Sequence, residues 1–369
     1  MPPSPSVRLG IVGCGNVLGA YLALAEMLRR EGVADVTVFC GREHQRFATL
    51  AAWPSAAFVT HFEDFVSRPD VDAIVVLTPM VEHARMARAA LEAGKHVLVE
   101  KPLAVTLKEA RQLIAVAKAT EKFLVCAPFT VLSPTFQAIG RRLQRGDIGT
   151  IISARGRYGW AGPDWTGWFY RRGGGAIFDL GVYNLTTLTG WLGPVRRVAA
   201  MSGVAVPKRS VCGKKIRVEA DDNSQILLDF DGNRFAVITT GFTLQQYRGP
   251  GLELFGLEGT LYLLGDDWDP DGYELWQNSA GCWQTYKETH PEWPWTDGLR
   301  HMVECIRTGL RPAVMPEHAY HVLEVMLAAQ AAGRDGRTRN IKSRFKPLQF
   351  RAARQHLPAH RVHDRTRVD

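Results

Sequence analysis

Short runs of branched aliphatic residues alternate with Ala/Leu-rich stretches of helical spacing over the first ~130 residues. Val7–Val12 opens the series, a glycine-rich turn follows, and residues 20–30 read as a helix. Residues 36–40 form a second β-like run, followed by a helical segment that ends near Trp53-Pro54. Residues 73–77 are almost all branched aliphatic, the composition of a strand covered on both faces. Residues 82–93 then read as a helix stopped by Gly94, His96–Val99 as a strand, 107–120 as a helix with Thr106 as N-cap, and 123–127 as a strand. Strands alternating with helices require crossover connections, which predicts an α/β domain with a parallel, doubly wound sheet over residues 7–128.

The grammar changes after one more helix, 133–145, and the turn Gly146-Asp147-Ile148-Gly149. From 150 to 264 the chain is mostly short β-like runs punctuated by Gly, Pro, Asp and Asn, with 226–230 and 235–240 flanking Asp231-Gly232-Asn233 as a hairpin. One helix interrupts this region near Asp179, and helical spacing returns at 297–308 and 317–332. The expectation is a second, α+β domain over 129–333 with a large, mostly antiparallel open sheet. A chain of 369 residues suits two domains.

Composition narrows the class. With 46% hydrophobic and 22% charged residues the chain is neither disordered nor collagen-like. No run approaches the ~20 apolar residues of a membrane-spanning helix, and Met-Pro-Pro-Ser-Pro-Ser lacks a secretory signal's basic start and apolar run. Residues 1–6 therefore read as a disordered start, Val7 as the first folded residue, and the protein as cytoplasmic with no membrane partner. The formal net charge of +8 hints at nucleic acid until it is located. Residues 334–369 hold 11 Lys/Arg against 3 Asp/Glu, so the excess belongs to the end of the chain. That stretch reads as a solvated basic tail, and a nucleic-acid partner is not expected. Six scattered cysteines with no C-x-x-C pair fit reduced thiols, and no metal-ligand spacing is visible, so no metal is expected.

Gly13-Cys14-Gly15-Asn16, with Val17 after it, joins the first strand to the first helix. Glycines there allow a tight turn and let backbone N–H groups approach a pyrophosphate at a helix N-terminus. The third glycine is irregular, because Leu18 stands at the usual position and Gly19 one later. The second strand ends Phe39-Cys40-Gly41-Arg42, without the acid that holds a ribose 2′-hydroxyl in NAD sites. A 2′-phosphate beside Gly41 could pair with Arg42, so NADP is the expected cofactor and NAD the alternative, with Arg42 then a solvated helix-start residue.

Gly94-Lys95-His96-Val97-Leu98-Val99-Glu100-Lys101-Pro102-Leu103, taken with the Gly13 turn, Thr78-Pro79 and Gly173-Gly174-Gly175…Asp179, resembles the glucose–fructose oxidoreductase/inositol dehydrogenase/rhizopine-catabolism (Gfo/Idh/MocA) family over roughly residues 7–333. The resemblance implies a Rossmann domain that binds a nicotinamide cofactor and a second-domain sheet whose open face makes an oligomer contact, hence a homodimer or homotetramer. It also implies that Thr78 and Pro79 lie against the nicotinamide and that the Lys101–Pro102 bond is cis. His83 matches a recurrent family position and is read as structural.

The chemistry stands beside the resemblance. Lys101 follows the carboxyl end of a parallel strand, where ligands of open α/β sheets bind, and its ammonium could stabilise a developing alkoxide. Glu100 could hold that ammonium in place. Asp179 and Tyr183 are four apart, so on one helix they share a face. Most of the family has His at the second position, whereas Tyr183 resembles the tyrosine-containing branch. Beside Lys101 the phenol is expected to ionise more easily than usual and to act as acid/base, with Asp179 orienting substrate or the pair. Tyr158, Trp160, Trp165, Trp168, Phe169 and Tyr170 crowd into one stretch, and Trp165 and Trp168 are either walls of a sugar pocket or packing groups.

The function expected from all this is hydride transfer between nicotinamide and a secondary alcohol or carbonyl of a sugar, cyclitol or related polyol. Two alternatives are glycoside cleavage through transient oxidation, with no net redox change, and a non-catalytic nucleotide-sensing binder.

Overall fold

The structure, a computed structural model, describes residues 5–287 and 293–350. Residues 1–4 of the expected disordered start, and the tail from 351 onward, lie outside the described residues.

Six parallel strands build the first sheet: β1 (Val7–Val12), β2 (Ala34–Cys40), β3 (Ala57–Val59), β4 (Ala73–Val76), β5 (His96–Val99) and β6 (Leu124–Cys126). Their spatial order is β3-β2-β1-β4-β5-β6. Helices α1 (Leu18–Arg30), α2 (Arg46–Ala52), α3 (Phe62–Val66), α4 (Met80–Glu92) and α5 (Leu107–Ala119) connect them. Thr106 caps α5 as its spacing predicts, its hydroxyl accepting from Glu109 N at 3.2 Å. β3 escapes the hydrophobic pattern because it is three residues long and buries only Phe58. The connection from β3 to β4 carries the chain back past β1, so the crevice for a ligand opens at the carboxyl ends of β1 and β4.

The second domain opens with α6 (Pro134–Arg145), capped by Ser133, whose hydroxyl accepts from Phe136 N at 3.0 Å. Its strands are β7 (Ile151–Gly159), β8 (Arg197–Gly203), β9 (Lys208–Val211), β10 (Lys214–Arg217), β11 (Asn223–Phe230), β12 (Arg234–Gly241), β13 (Leu252–Gly256), β14 (Gly259–Asp266), β15 (Asp269–Gln277), β16 (Trp283–Tyr286) and β17 (Arg339–Asn340). Nine of them form a sheet ordered β16-β15-β14-β13-β7-β12-β11-β8-β17, with β9 and β10 a separate hairpin. Only the β7–β12 pair is parallel, and β11 and β12 form the expected hairpin. Alternation along β11 and β12 turns one face towards α7 (Val182–Leu192) and α9 (Pro316–Asp335). The other face leaves Ile152, Met201, Leu227, Phe235 and Val237 exposed.

Two placements depart from the sequence reading. Helix α8 (Gly298–Thr308), expected in the second domain, sends Leu299, Met302 and Val303 into the core of the first, beside Leu9, Ile11 and Tyr21. The supposed solvated tail also folds back as far as it is described. β17 pairs with β8, Ile341 and Phe345 are buried, and Phe350 packs on Phe136 with ring centroids 5.7 Å apart. Its net charge masked apolar residues at 341, 345, 348 and 350, which cover α6 and α9. Among the described residues no helix is long and apolar enough to cross a membrane, and no group of three or more His, Cys, Asp or Glu could hold a metal.

Candidate active site

The turn after β1 fits a dinucleotide phosphate on three counts. Gly13 has φ +101°, and a Cβ there would lie 2.6 Å from the Leu77 carbonyl carbon, so only glycine lets β1 turn this close to the end of β4. Above Gly15 a Cβ would meet nothing within 4 Å, which leaves space over the turn. The N-terminus of α1 carries no side-chain cap and no acid in its first turn, so apart from Leu18 N–H, which donates to the Gly15 carbonyl at 3.1 Å, its dipole and N–H groups remain available to an anion. Asn16 and Val17 complete this turn. Leu18, at the irregular third-glycine position, is buried in the core.

At the end of β2, Gly41 sits where a Cβ would press on Cys14 Sγ at 2.9 Å, and Gln45 ties the two turns by donating to the Cys14 carbonyl at 2.6 Å. Arg42 is exposed. Its neighbour Arg46 is engaged with Glu43 at 2.7 Å and lies over the Phe58 ring, whereas the Arg42 side chain has no ion-pair partner among the described residues. At the end of β4, Thr78 Oγ1 is buried with no partner among the described residues, and Pro79 starts α4. His83, buried, bridges the Thr78 and Pro102 carbonyls at 2.8 and 2.7 Å, which ties this strand end to the turn after β5.

That turn holds Lys101. Its Nζ donates to the Asp179 carbonyl at 2.8 Å and to Asp179 Oδ1 at 2.6 Å, with both side chains only 13–14% exposed. The same ammonium lies 5.3 Å from the centre of the Tyr183 ring. Lys101, Asp179 and Tyr183 therefore converge from the two domains, and the Lys101–Pro102 bond is cis. Glu100 does not hold the Lys101 ammonium. Its buried carboxylate accepts from Tyr21 Oη at 2.6 Å and from the Lys101 backbone N–H at 3.1 Å, so it fixes the turn while Asp179 fixes the amine.

Asp179 and Tyr183 do not share one regular helix. Residues Ile177–Gly181 form a π turn that runs into α7. Asp221 anchors its start, accepting from Ile177 N at 3.0 Å and from Gln330 Nε2 at 2.9 Å. A Cβ on Gly175 (φ +101°) would come within 2.4 Å of that carboxylate, which explains one glycine of the run. The Tyr183 ring meets Tyr158 edge-on at 5.6 Å. Its hydroxyl has no hydrogen-bond partner among the described residues. Burial pushes the phenol well above its ordinary pKa, and the Glu100 and Asp179 carboxylates add to the rise. The expected easier ionisation beside Lys101 is thus reversed, because desolvation and the Glu100 and Asp179 carboxylates outweigh one ammonium already bound to Asp179.

The aromatic run divides. Trp160 stacks on Trp165 at 5.5 Å and Trp168 on Phe169, over a small core of Tyr170, Leu180 and Phe242. Trp165 and Trp168 keep 47% and 37% of their surface exposed, at the rim of this cluster. Tyr158 and Trp160 instead line a hollow of about 460 Å³ together with Gln246, Tyr247 and Asp266. Sequence reasoning passed over Tyr21, which is one residue of an ordinary apolar helix stripe, and Asp266, whose proximity depends on long-range strand pairing.

Comparison with known proteins agrees with this architecture. Residues 7–127 match the family model "Oxidoreductase family, NAD-binding Rossmann fold", and residues 136–262 match "GFO/IDH/MocA C-terminal domain". Trans-1,2-dihydrobenzene-1,2-diol dehydrogenase of Bos taurus is 26% identical over 349 residues, covering 86% of this chain and 95% of the relative. 1,5-Anhydro-D-fructose reductase of Ensifer adhaerens is 32% identical over 260 residues, covering 69% and 74%. Among solved structures, an oxidoreductase domain protein from Kribbella flavida superposes with a TM-score of 0.83 at 23% identity, covering 92% of this chain and all of that one. Levoglucosan dehydrogenase in complex with NADH and levoglucosan superposes with a TM-score of 0.81 at 19% identity, covering 91% and 99%. The chain belongs to the Gfo/Idh/MocA family of oxidoreductases, with the NAD-binding Rossmann domain and the C-terminal domain that define it.

Proposed function

We propose that the protein interconverts a secondary alcohol and a carbonyl on a sugar, cyclitol or related polyol, with Tyr183 moving the hydroxyl proton and Lys101 polarising the oxygen. The observation that carries the reading is the convergence of Lys101, Asp179 and Tyr183 at the carboxyl end of β5, beside the crevice of the dinucleotide fold. The nicotinamide supplies or accepts hydride when bound. The Gly13–Val17 turn would hold its pyrophosphate, and Thr78 and Pro79 would border the ring.

An ammonium has three N–H donors. Two of Lys101's go to Asp179, so one remains for a substrate oxygen, held in a fixed direction before substrate arrives. Tyr183, with its raised pKa, is a neutral phenol at pH 7 and is equipped to donate a proton to an oxygen that gains charge as a carbonyl is reduced. The relatives named for a diol and for an anhydro sugar support a polyhydroxylated substrate. The hollow lined by Tyr158, Trp160, Tyr247 and Asp266 suits the remainder of such a molecule, because ring faces meet C–H surfaces and a carboxylate accepts from hydroxyls. For the cofactor, the exposed Arg42 and the lack of an acid at Gly41 favour NADP over NAD. The open sheet face around Met201 and Leu227 suits a contact between copies of the chain.

The test is a panel of sugars, anhydro sugars, cyclitols and diols with NAD(H) and NADP(H), followed at the absorbance of the reduced nucleotide. Lys101→Met and Tyr183→Phe should each lower kcat by about 10²–10⁴-fold while nucleotide Kd stays near that of the wild type. Full turnover in both variants would remove the assignment. Release of free sugar at constant nucleotide redox state would replace it with transient-oxidation glycoside cleavage.

A further inference from the structure

Asp267 and Asn184 form a buried pair behind the site. Asp267 lies in the turn between β14 and β15, is 2% exposed, and its Oδ2 accepts from Asn184 Nδ2 at 3.0 Å. Asn184 is the residue after Tyr183 on α7 and is 1% exposed. Two oxygens of this pair, Asp267 Oδ1 and Asn184 Oδ1, are buried with no donor among the described residues. The Thr187 hydroxyl donates to Thr130 Oγ1 at 3.1 Å, though it lies close enough to Asp267 to pull the carboxyl's pKa down. Buried acceptors without donors are rare because each forfeits the hydrogen bonds it made in water.

One proton removes both defects. A carboxylic O–H on Asp267 can donate to Asn184 Oδ1 while Asn184 Nδ2 donates back to the carboxyl, which closes a two-bond acid–amide ring. We infer that Asp267 is a neutral carboxylic acid in the folded protein and that its ring with Asn184 is a positioning element for Tyr183. The surroundings agree. Asp266 adjoins it, Tyr183 on α7 and Tyr158 on β7 face it, Tyr247 lies near it while donating to Asp266, and no cation pairs with it among the described residues. Burial raises the carboxyl to about 7 against the opposing pull of its hydrogen bonds.

The same turn places Trp268 against Tyr158 at 6.4 Å, and Tyr158 meets Tyr183. A single turn thereby braces the phenol from behind through Asn184 and from the side through Tyr158. A neutral acid does this without adding another anion near a group that must be able to lose a proton. The positioning role rests on the proposed acid–base part of Tyr183, whereas the proton on Asp267 does not.

The test separates the two. Infrared spectroscopy in D₂O should show a protonated-carboxyl stretch in the wild type that Asp267→Asn removes. In denaturant melts the wild type should lose stability relative to Asp267→Asn as pH rises from about 4 to about 7, and the gap should then level off. The sign follows because the folded state holds a proton that the unfolded chain has already released. In kinetics Asp267→Leu, which breaks the ring, should lower kcat about tenfold to a hundredfold with nucleotide Kd unchanged. Asp267→Asn, which can rebuild two hydrogen bonds with Asn184, should restore most of that loss. A gap independent of pH, together with no band lost in Asp267→Asn, overturns the proton. A band that is present with equal kcat in the Leu and Asn variants overturns the positioning role. If Tyr183→Phe turns over normally while the band persists, the acid–base reading fails and the proton stands.

Discussion

The two halves of the site are built from different materials. On the Rossmann side every proposed functional group sits within a few residues of a strand end, so the strand itself sets where its backbone stands. Lys101 follows β5, its own N–H is fixed by Glu100, and Gly13 packs directly on the carbonyl of Leu77. On the other side Asp179 stands on a π turn and Tyr183 at the start of α7 just after it, held by Asp221, Gln330, Tyr158 and the β14–β15 turn, all of which are side-chain contacts from distant sequence. Main-chain placement tolerates sequence change, whereas side-chain bracing allows the pocket to be retuned. The contrast predicts that substitutions in the second half disturb geometry over a wider area than those in the first.

The bond across the seam is the sharpest place to break this contrast. Asp179→Asn keeps shape but removes the charge that holds the Lys101 ammonium at 2.6 Å. We expect kcat to fall about 10²–10³-fold, with nucleotide Kd changed less than threefold, since a charge-assisted bond in a partly desolvated site fixes the donor. A matching fall in nucleotide affinity would show that the two halves are not separable.

The next effect tests whether the returning chain end braces the second half. Phe345 is buried and stacks on His318 at 4.3 Å, with His321 beside it. Phe345→Ala should cost about 3–5 kcal/mol in urea unfolding. Burial holds His318 and His321 down to about 3 and about 4. Both stay neutral when folded but charge below about 6.5 when unfolded, so they contribute stability that is fully present above that pH and is lost as pH falls towards 4. The urea midpoint of the wild type should drop over that window, and replacing both with Gln should flatten it.

The same division explains what could be read from sequence. The parallel sheet was legible because β1, β2, β4 and β5 declare themselves over four to seven mostly apolar residues, and Lys101 because it follows such a strand immediately. β3 failed this test with one buried side chain in three. The meeting of Lys101 with Asp179 and Tyr183 was suggested by resemblance, and no local pattern carries it. The partners that set its electrostatics were illegible. Tyr21 looks like any helix-stripe residue, yet it takes Glu100 away from the lysine. Asp267 looks like a surface turn residue in Asp266-Asp267-Trp268-Asp269, yet it is buried beside Asn184. The rise of Tyr183 comes from this burial, a sum over both domains that spacing does not encode. Net charge misled at the chain end for a similar reason, since a count of arginines is silent about Phe345 and Phe350 between them.

The smallest expected effect lies wholly within the Rossmann half and asks how local that half is. Arg42 is exposed, while Arg46 nearby is tied to Glu43 and to the Phe58 carbonyl at 3.0 Å. A guanidinium at the end of β2 can form a charge-assisted pair with a ribose 2′-phosphate and has no equivalent partner in a 2′-hydroxyl. Arg42→Ala should raise KM for NADP(H) about tenfold, the scale of one exposed charge-assisted contact, and leave KM for NAD(H) and both kcat values unchanged. The effect should shrink with added salt, because the pair is solvent-facing. Equal changes for the two nucleotides would mean that Arg42 shapes the turn itself, acting through its backbone bond to Gln45 Oε1 at 2.9 Å and from there on Cys14. In that case the cofactor corner, like the far side of the cleft, would depend on a chain of side chains.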